Sequence, residues 1–159
     1  MMRTCISTPI GFLHISSEDG KISVIHFSDE PLEGRYDKAP ELEACMRQLE
    51  EYFAGSRTVF DFPMQQNGTE FQQRVWQGLL AIPFGRTQSY MELSKRLGDV
   101  KAIRAVGTAN GRNNLAIVVP CHRVIGSDRS LTGYAGGLHR KQWLLAHEAK
   151  FARGVQTLF

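Results

Sequence analysis

The chain has 159 residues, 42% hydrophobic and 22% charged, a globular balance for one domain or two small ones. No apolar run is long enough to span a membrane, and three cysteines (Cys5, Cys45, Cys121) with no C-x-x-C pair argue against a disulfide framework and a zinc module. The net charge of +3 is unevenly spread: residues 1–66 hold 6 Lys+Arg against 11 Asp+Glu, a net of −5, and residues 67–159 hold 13 against 5, a net of +8. A half that basic suits a polyanion, although chance asymmetry between solvated faces explains it equally well. The N-terminus lacks a signal-peptide h-region, so a cytoplasmic location with no membrane partner is expected.

In chain order, "CISTPIGFLHISS" and "KISVIHFSD" alternate apolar with polar residues and flank the turn "EDG", which predicts a hairpin of two strands. A polar loop follows. Residues 40–55, "PELEACMRQLEEYFAG", predict a helix that opens on Pro40, has acidic residues in its first turn and stops at Gly55. Its apolar stripe is Leu42, Cys45, Met46, Leu49 and Phe53, so Cys45 reads as core packing. "TVFDFP" is a further candidate strand, and "MQQNG" at 64–68 is the expected linker. After it, "TEFQQRVWQGLLAIPFG" predicts a helix ended by Pro83 and Gly85. "SYMELSKRLG" carries a Ser89/Glu92 capping box, and Asp99 can cap "KAIRAVGTANG". Two short helices around a tight turn, the second one basic, read as helix-turn-helix. On the second helix Ala102, Ala105 and Ala109 form a smooth strip beside Lys101, Arg104 and Thr108. That surface suits a groove, and it also suits close packing against a neighbour. "LAIVV" reads as a short buried strand, and "LHRKQWLLAHEAKF" as a last helix.

Cys121 follows "LAIVV" and Pro120, and is followed by His122 and Arg123. Core filling, metal ligation and nucleophilic attack are all open to such a thiol. A nucleophile needs a base to take its proton, and the base needs an orienting carboxylate. His122 is adjacent, but neighbours on an extended chain point to opposite sides, so a turn or a bridging water is required. Glu148 and Asp128 are both candidates for the carboxylate.

"PCHRVIG" followed by "TGYAGGLHRKQWLLAHE" resembles the active-site region of the O6-alkylguanine–DNA alkyltransferases, the methylated-DNA–protein-cysteine methyltransferases. "RAVGTAN", "SYMELS" and "F…VW…L…IPFG" resemble the same family in the same order. The resemblance is strong over residues 67–150 and looser before that, through "TPIGFLHI" and "LEEYFAG". It implies the stand-alone bacterial form and an α+β fold. Residues 1–66 would be a small ribonuclease H-like support domain of sheet plus helix. Residues 67–159 would be a mainly helical, winged-helix-like domain that binds DNA and accepts the alkyl group.

The resemblance further implies that Cys121 takes the alkyl group from O6-alkylguanine, and from O4-alkylthymine, once and irreversibly. His122 would activate it through a water, oriented by Glu148. Asn113 would fix the active-site turn, and Tyr90 would donate a proton to the departing guanine. Arg104 would fill the gap left by a flipped nucleotide, with Ala102, Ala105, Thr108 and Arg123 also at the DNA. Tyr134 would line the pocket, and the main chain at Ala135 and Val124 would read the base edges. No cofactor and no metal are implied. The partner would be double-stranded DNA bound through its minor groove by a monomer. Two departures stand out: Asn114 and Ala116 occupy positions where relatives have proline, so a looser turn is expected there. Two readings compete with repair: a lesion-binding protein that does no chemistry, and a Cys-His hydrolase unrelated to DNA.

Overall fold

The computed structural model describes residues 1–153. The chain forms two compact units, one of residues 1–67 with 114–118, the other of residues 68–113 with those from Val119 onward.

The first unit is built on an antiparallel sheet, β1 (Met2–Thr8), β2 (Gly11–Glu18) and β3 (Lys21–Ser28), in that order. Three strands stand where the alternation predicts two. The run "CISTPIGFLHISS" breaks at Pro9, whose missing N–H ends the ladder, and Thr8 closes the turn. Its Oγ1 accepts from Ile10 N (3.1 Å) and donates to Gly11 O (2.7 Å). One sheet face buries Ile6, Leu13, Ile15, Ile22 and Ile25, the register shift at Ser16/Ser17 bringing Ile22 onto the same face as Ile25. Helix α1 (Pro40–Ala54) covers it with Leu42, Cys45, Leu49 and Tyr52. Pro40 opens α1, and Gly55 ends it at φ +86°, a conformation that glycine adopts without strain.

"TVFDFP" is not a strand. The Gln48 side chain takes up its backbone instead, accepting from Asp61 N at 3.0 Å and donating to the Asp61 carboxylate. "LAIVV" is not a strand either. Only Leu115 bridges Ile25, and the chain then folds into a tight turn at Ile117. The Val118 N–H reaches Ala116 O at 2.8 Å across Ile117, which is buried at φ +70°, a strained value for a β-branched residue. Nor is this segment loose. Asn114 N donates to Gln66 Oε1 (2.9 Å) and Ala116 N to Ile25 O (3.1 Å). Proline at either position could make neither bond, so the two departures add anchors.

The second unit contains α2 (Glu70–Leu80), β4 (Gln88–Ser89), α3 (Tyr90–Arg96), α4 (Ile103–Gly111), β5 (Val124–Ile125) and α5 (Leu138–Arg153). Capping boxes start α2 (Thr69 with Gln72) and α3 (Ser89 with Glu92). Asp99 caps a 3-10 turn, Val100–Ala102, that leads into α4, so only the later part of "KAIRAVGTANG" is α-helical. Helices α3 and α4 pack as a helix-turn-helix, and α2 backs α4 through Trp76 Nε1, which donates to Ala109 O at 2.9 Å. A two-residue parallel ladder pairs Gln88 with Val124 and Ser89 with Ile125. It fixes the residues after the Cys-His-Arg turn beside the cap of α3. The α+β class expected from the sequence holds: a small sheet-and-helix unit, then a mainly helical one.

Candidate active site at Cys121

Cys121, His122 and Arg123 form a 3-10 turn. Pro120 bends the chain into it, with Cys121 N donating to Val119 O at 2.8 Å. All three side chains are buried, Cys121 being 8% exposed. The turn that a Cys-His pairing required is therefore present.

His122 Nε2 lies 2.7 Å from Glu148 Oε2. An ionised carboxylate only accepts, so Nε2 carries the proton and Nδ1 keeps its lone pair. Nδ1 is buried with no partner among the described residues. Burial lowers the His122 pKa, against the pull of Glu148, so the ring is a neutral base at pH 7. Glu148 on α5 is held at four points: by His122, by Arg123 Nε (2.8 Å) and Nη2 (3.1 Å), and by Gly85 N (3.2 Å). Despite burial, the His122 and Arg123 contacts hold its carboxyl well below the usual range. Gly85 meets it at φ +80°, where an added Cβ would collide with Ala152 on α5.

Arg123 corrects the sequence reading. It was expected at the DNA, yet it is 6% exposed and grips Glu148, with Nη1 on Ile82 O at 2.7 Å. A guanidinium held in this way supports the carboxylate and is not available to a phosphate. Asp128 drops out as the orienter, because it is exposed and accepts from Ser130 N within its own turn.

Asn113 Nδ2 donates to Val119 O at 2.8 Å, and the same side chain hydrogen-bonds the Cys121 thiol. Burial raises the Cys121 pKa, while Asn113 and the Lys141 charge oppose the rise. The Tyr134 hydroxyl is buried and close enough to Cys121 and Glu148 for their charges to reinforce the effect of burial, which holds its pKa well above normal. Ala135 is exposed beside it. Tyr90 opens α3, and its ring lies over Gly107 of α4. On α4, Arg104, Ala105 and Thr108 are exposed, and Ala102, at the end of the 3-10 turn before it, is half-buried. Ala109, counted in the smooth strip, is buried instead, its carbonyl held by Trp76.

Lys141 was missed from the sequence. It is fully buried, and its ammonium donates to Val124 O (2.7 Å) and Thr132 O (2.8 Å). Burial pushes its pKa down to about 8, with Cys121 acting the other way. The available signal was its place on α5: Lys141, Leu144, Leu145 and Glu148 follow helical spacing on one buried face, where a lysine and a glutamate need a reason. Among the described residues no cluster of three or more His, Cys, Asp or Glu could hold a metal, and no helix is long and apolar enough to cross a membrane.

The fold and site together define a class, a small sheet unit joined to a helix-turn-helix unit that carries a buried Cys-His-Glu array. Residues 1–66 match the "6-O-methylguanine DNA methyltransferase, ribonuclease-like domain" and residues 70–150 the "6-O-methylguanine DNA methyltransferase, DNA binding domain". A methylated-DNA–protein-cysteine methyltransferase of Mycolicibacterium paratuberculosis is 44% identical, over 97% of this chain and 96% of its own length. The constitutive one of Bacillus subtilis is 45% identical over 84% of this chain and 86% of its own. The crystal structure of Mycobacterium tuberculosis O6-methylguanine methyltransferase superposes with a TM-score of 0.85 at 41% identity, covering 97% of this chain and 96% of that one. A structure of the M. tuberculosis protein with DNA gives 0.85 at 41% identity, over 95% of this chain and 94% of that one. The chain belongs to the 6-O-methylguanine DNA methyltransferase family.

Proposed function

We propose that this protein repairs DNA by taking the alkyl group of O6-alkylguanine, and of O4-alkylthymine, onto Cys121. The observation that carries the reading is the His122 tautomer: Nε2 is committed to Glu148, and Nδ1 is left as a buried base on the residue next to the thiol. The Cys121 proton passes to Nδ1 through a bridging water, and Glu148 stabilises the imidazolium that forms. The thiolate attacks the alkyl carbon in line. An S–C bond forms, the C–O6 bond breaks, and the bond pair leaves with the guanine, which takes a proton from Tyr90. Asn113 steadies the developing thiolate. The product is a thioether that water does not cleave, so each molecule acts once. No cofactor enters the balance.

Access to the base requires extrusion from the duplex, which costs a few kcal/mol and less for a weakened pair. The exposed face of α4, with Arg104, Ala105 and Thr108, is the surface offered to a minor groove, and Arg104 takes the vacated place in the stack. Tyr134 closes over the flipped base, with the main chain of Ala135 and Val124 at its edges. The protein works as a monomer in the cytoplasm. Intact-protein mass spectrometry after mixing with an O6-methylguanine duplex tests this. One methyl gain per molecule is expected, lost in Cys121→Ala. A gain that persists in that variant, or no gain in the wild type, sinks the reading.

A further inference from the structure

Among the described residues, four buried side-chain polar atoms have no hydrogen-bond partner: Asn110 Oδ1, His122 Nδ1, Thr132 Oγ1 and Tyr134 Oη. Two of them belong to residues joined directly to Cys121. Asn110 bonds the Cys121 carbonyl, and His122 follows Cys121 in the chain. The Tyr134 hydroxyl is near enough to Cys121 to feel its charge, and the backbone carbonyl of Thr132 accepts from the Lys141 ammonium. A buried polar atom without a protein partner costs free energy, and one beside a reacting group is placed to meet a polar ligand. His122 and Tyr134 already have roles in the proposed reaction, but Asn110 has none.

The orientation of Asn110 is settled by its partner. The residue is 4% exposed, at the inward end of α4, and one amide atom lies 3.4 Å from Cys121 O. A carbonyl needs a donor, so that atom is Nδ2 and the free atom is Oδ1, an acceptor only. The site thus holds an unmet acceptor beside the backbone of the reacting cysteine. Alkylation at O6 removes the N1 proton of guanine, leaving N1, O6, N3 and N7 as acceptors. The exocyclic 2-amino group is then the only donor that the extruded base carries.

We infer that Asn110 is a specificity-determining residue of this site, its Oδ1 accepting an N–H from the 2-amino group of the alkylated purine. The inference rests on the alkyl-transfer reading of Cys121 and adds the feature by which the site separates a 2-aminopurine ring from one lacking that group. An amide that merely braces the Cys121 carbonyl would affect every substrate alike, so substrate dependence distinguishes the two roles.

The test compares single-turnover transfer from O6-methylguanine and from O6-methylhypoxanthine, which lacks the 2-amino group, in otherwise identical duplexes. Wild type and Asn110→Leu are used, with Asn110→Ala as a second variant if the first does not fold. The variants should lose about tenfold more rate on O6-methylguanine than on O6-methylhypoxanthine, the worth of one neutral hydrogen bond. Equal losses on both substrates, or no loss on either, overturn the inference while leaving transfer to Cys121 intact. No methylation of wild-type Cys121 overturns the reading beneath it as well.

Discussion

Glu148 accepts from a histidine, an arginine at two atoms and a backbone amide, so it is ionised in the folded protein while His122 beside it stays neutral. Both shifts have the same consequence. The unfolded chain binds a proton at histidine below about pH 6.5 and at glutamate below about pH 4.3, where the folded protein does not. Each contribution to stability is therefore complete above those values and declines as pH falls. Urea midpoints should drop between pH 7 and 5, and His122→Gln should flatten that segment. A wild-type midpoint that holds constant over the range would show that the imidazole is not buried neutral. Lys141 gives a second expectation. At pH 7 its ammonium is mostly charged and favours the Cys121 thiolate; above about pH 8 it loses the proton. Lys141→Met should slow iodoacetamide modification of Cys121 severalfold at pH 7, with the two proteins converging near pH 9.5. A ratio that does not change with pH would mean the lysine acts only by holding Val124 and Thr132.

Among the elements, the local signals were legible because their causes are local. The Ser89/Glu92 box, Gly55 and the Asp99 cap act within one turn of chain, and each element lies close to where those residues place it. Segments that depend on distant partners were misread. "TVFDFP" and "LAIVV" have strand composition, but Gln48 claims the first, and the second gains one bridge to β3 before turning at Ile117. The turn is nevertheless fixed by two amide donors that proline would remove. Ala116→Pro should cost about 1 kcal/mol or more by losing the bond to Ile25 O, read as a lower urea midpoint. An unchanged midpoint would show that this amide does not anchor the segment.

For the molecule as a whole, the division of charge has a measurable consequence. Lys101, Arg104 and Arg112 are exposed on or beside α4, whereas Arg123 and Lys141 are buried and contribute nothing to phosphate contacts. Three such contacts predict a log–log salt slope of about −3 for DNA affinity. Arg104→Ala should reduce that slope by about 1 and slow repair in duplex DNA more than reaction with free alkylguanine. A slope near zero, or equal losses on both substrates, would remove α4 from the DNA interface.

The sequence by itself determined the α+β class, the helices and their caps, the unequal charge of the two halves and the thiol at Cys121. These rest on periodicity, capping and composition, which short stretches of chain carry in full. Only the tertiary structure took Arg123 from the DNA to the carboxylate of Glu148, which the resemblance had already implied, and brought Lys141 and Asn110 to the cysteine. Each of those outcomes joins residues far apart in sequence: Arg123 to Ile82 and Glu148, Lys141 to Val124 and Thr132, Asn110 to Cys121. A buried charge or amide is positioned by whichever partner satisfies it, and nothing local names that partner.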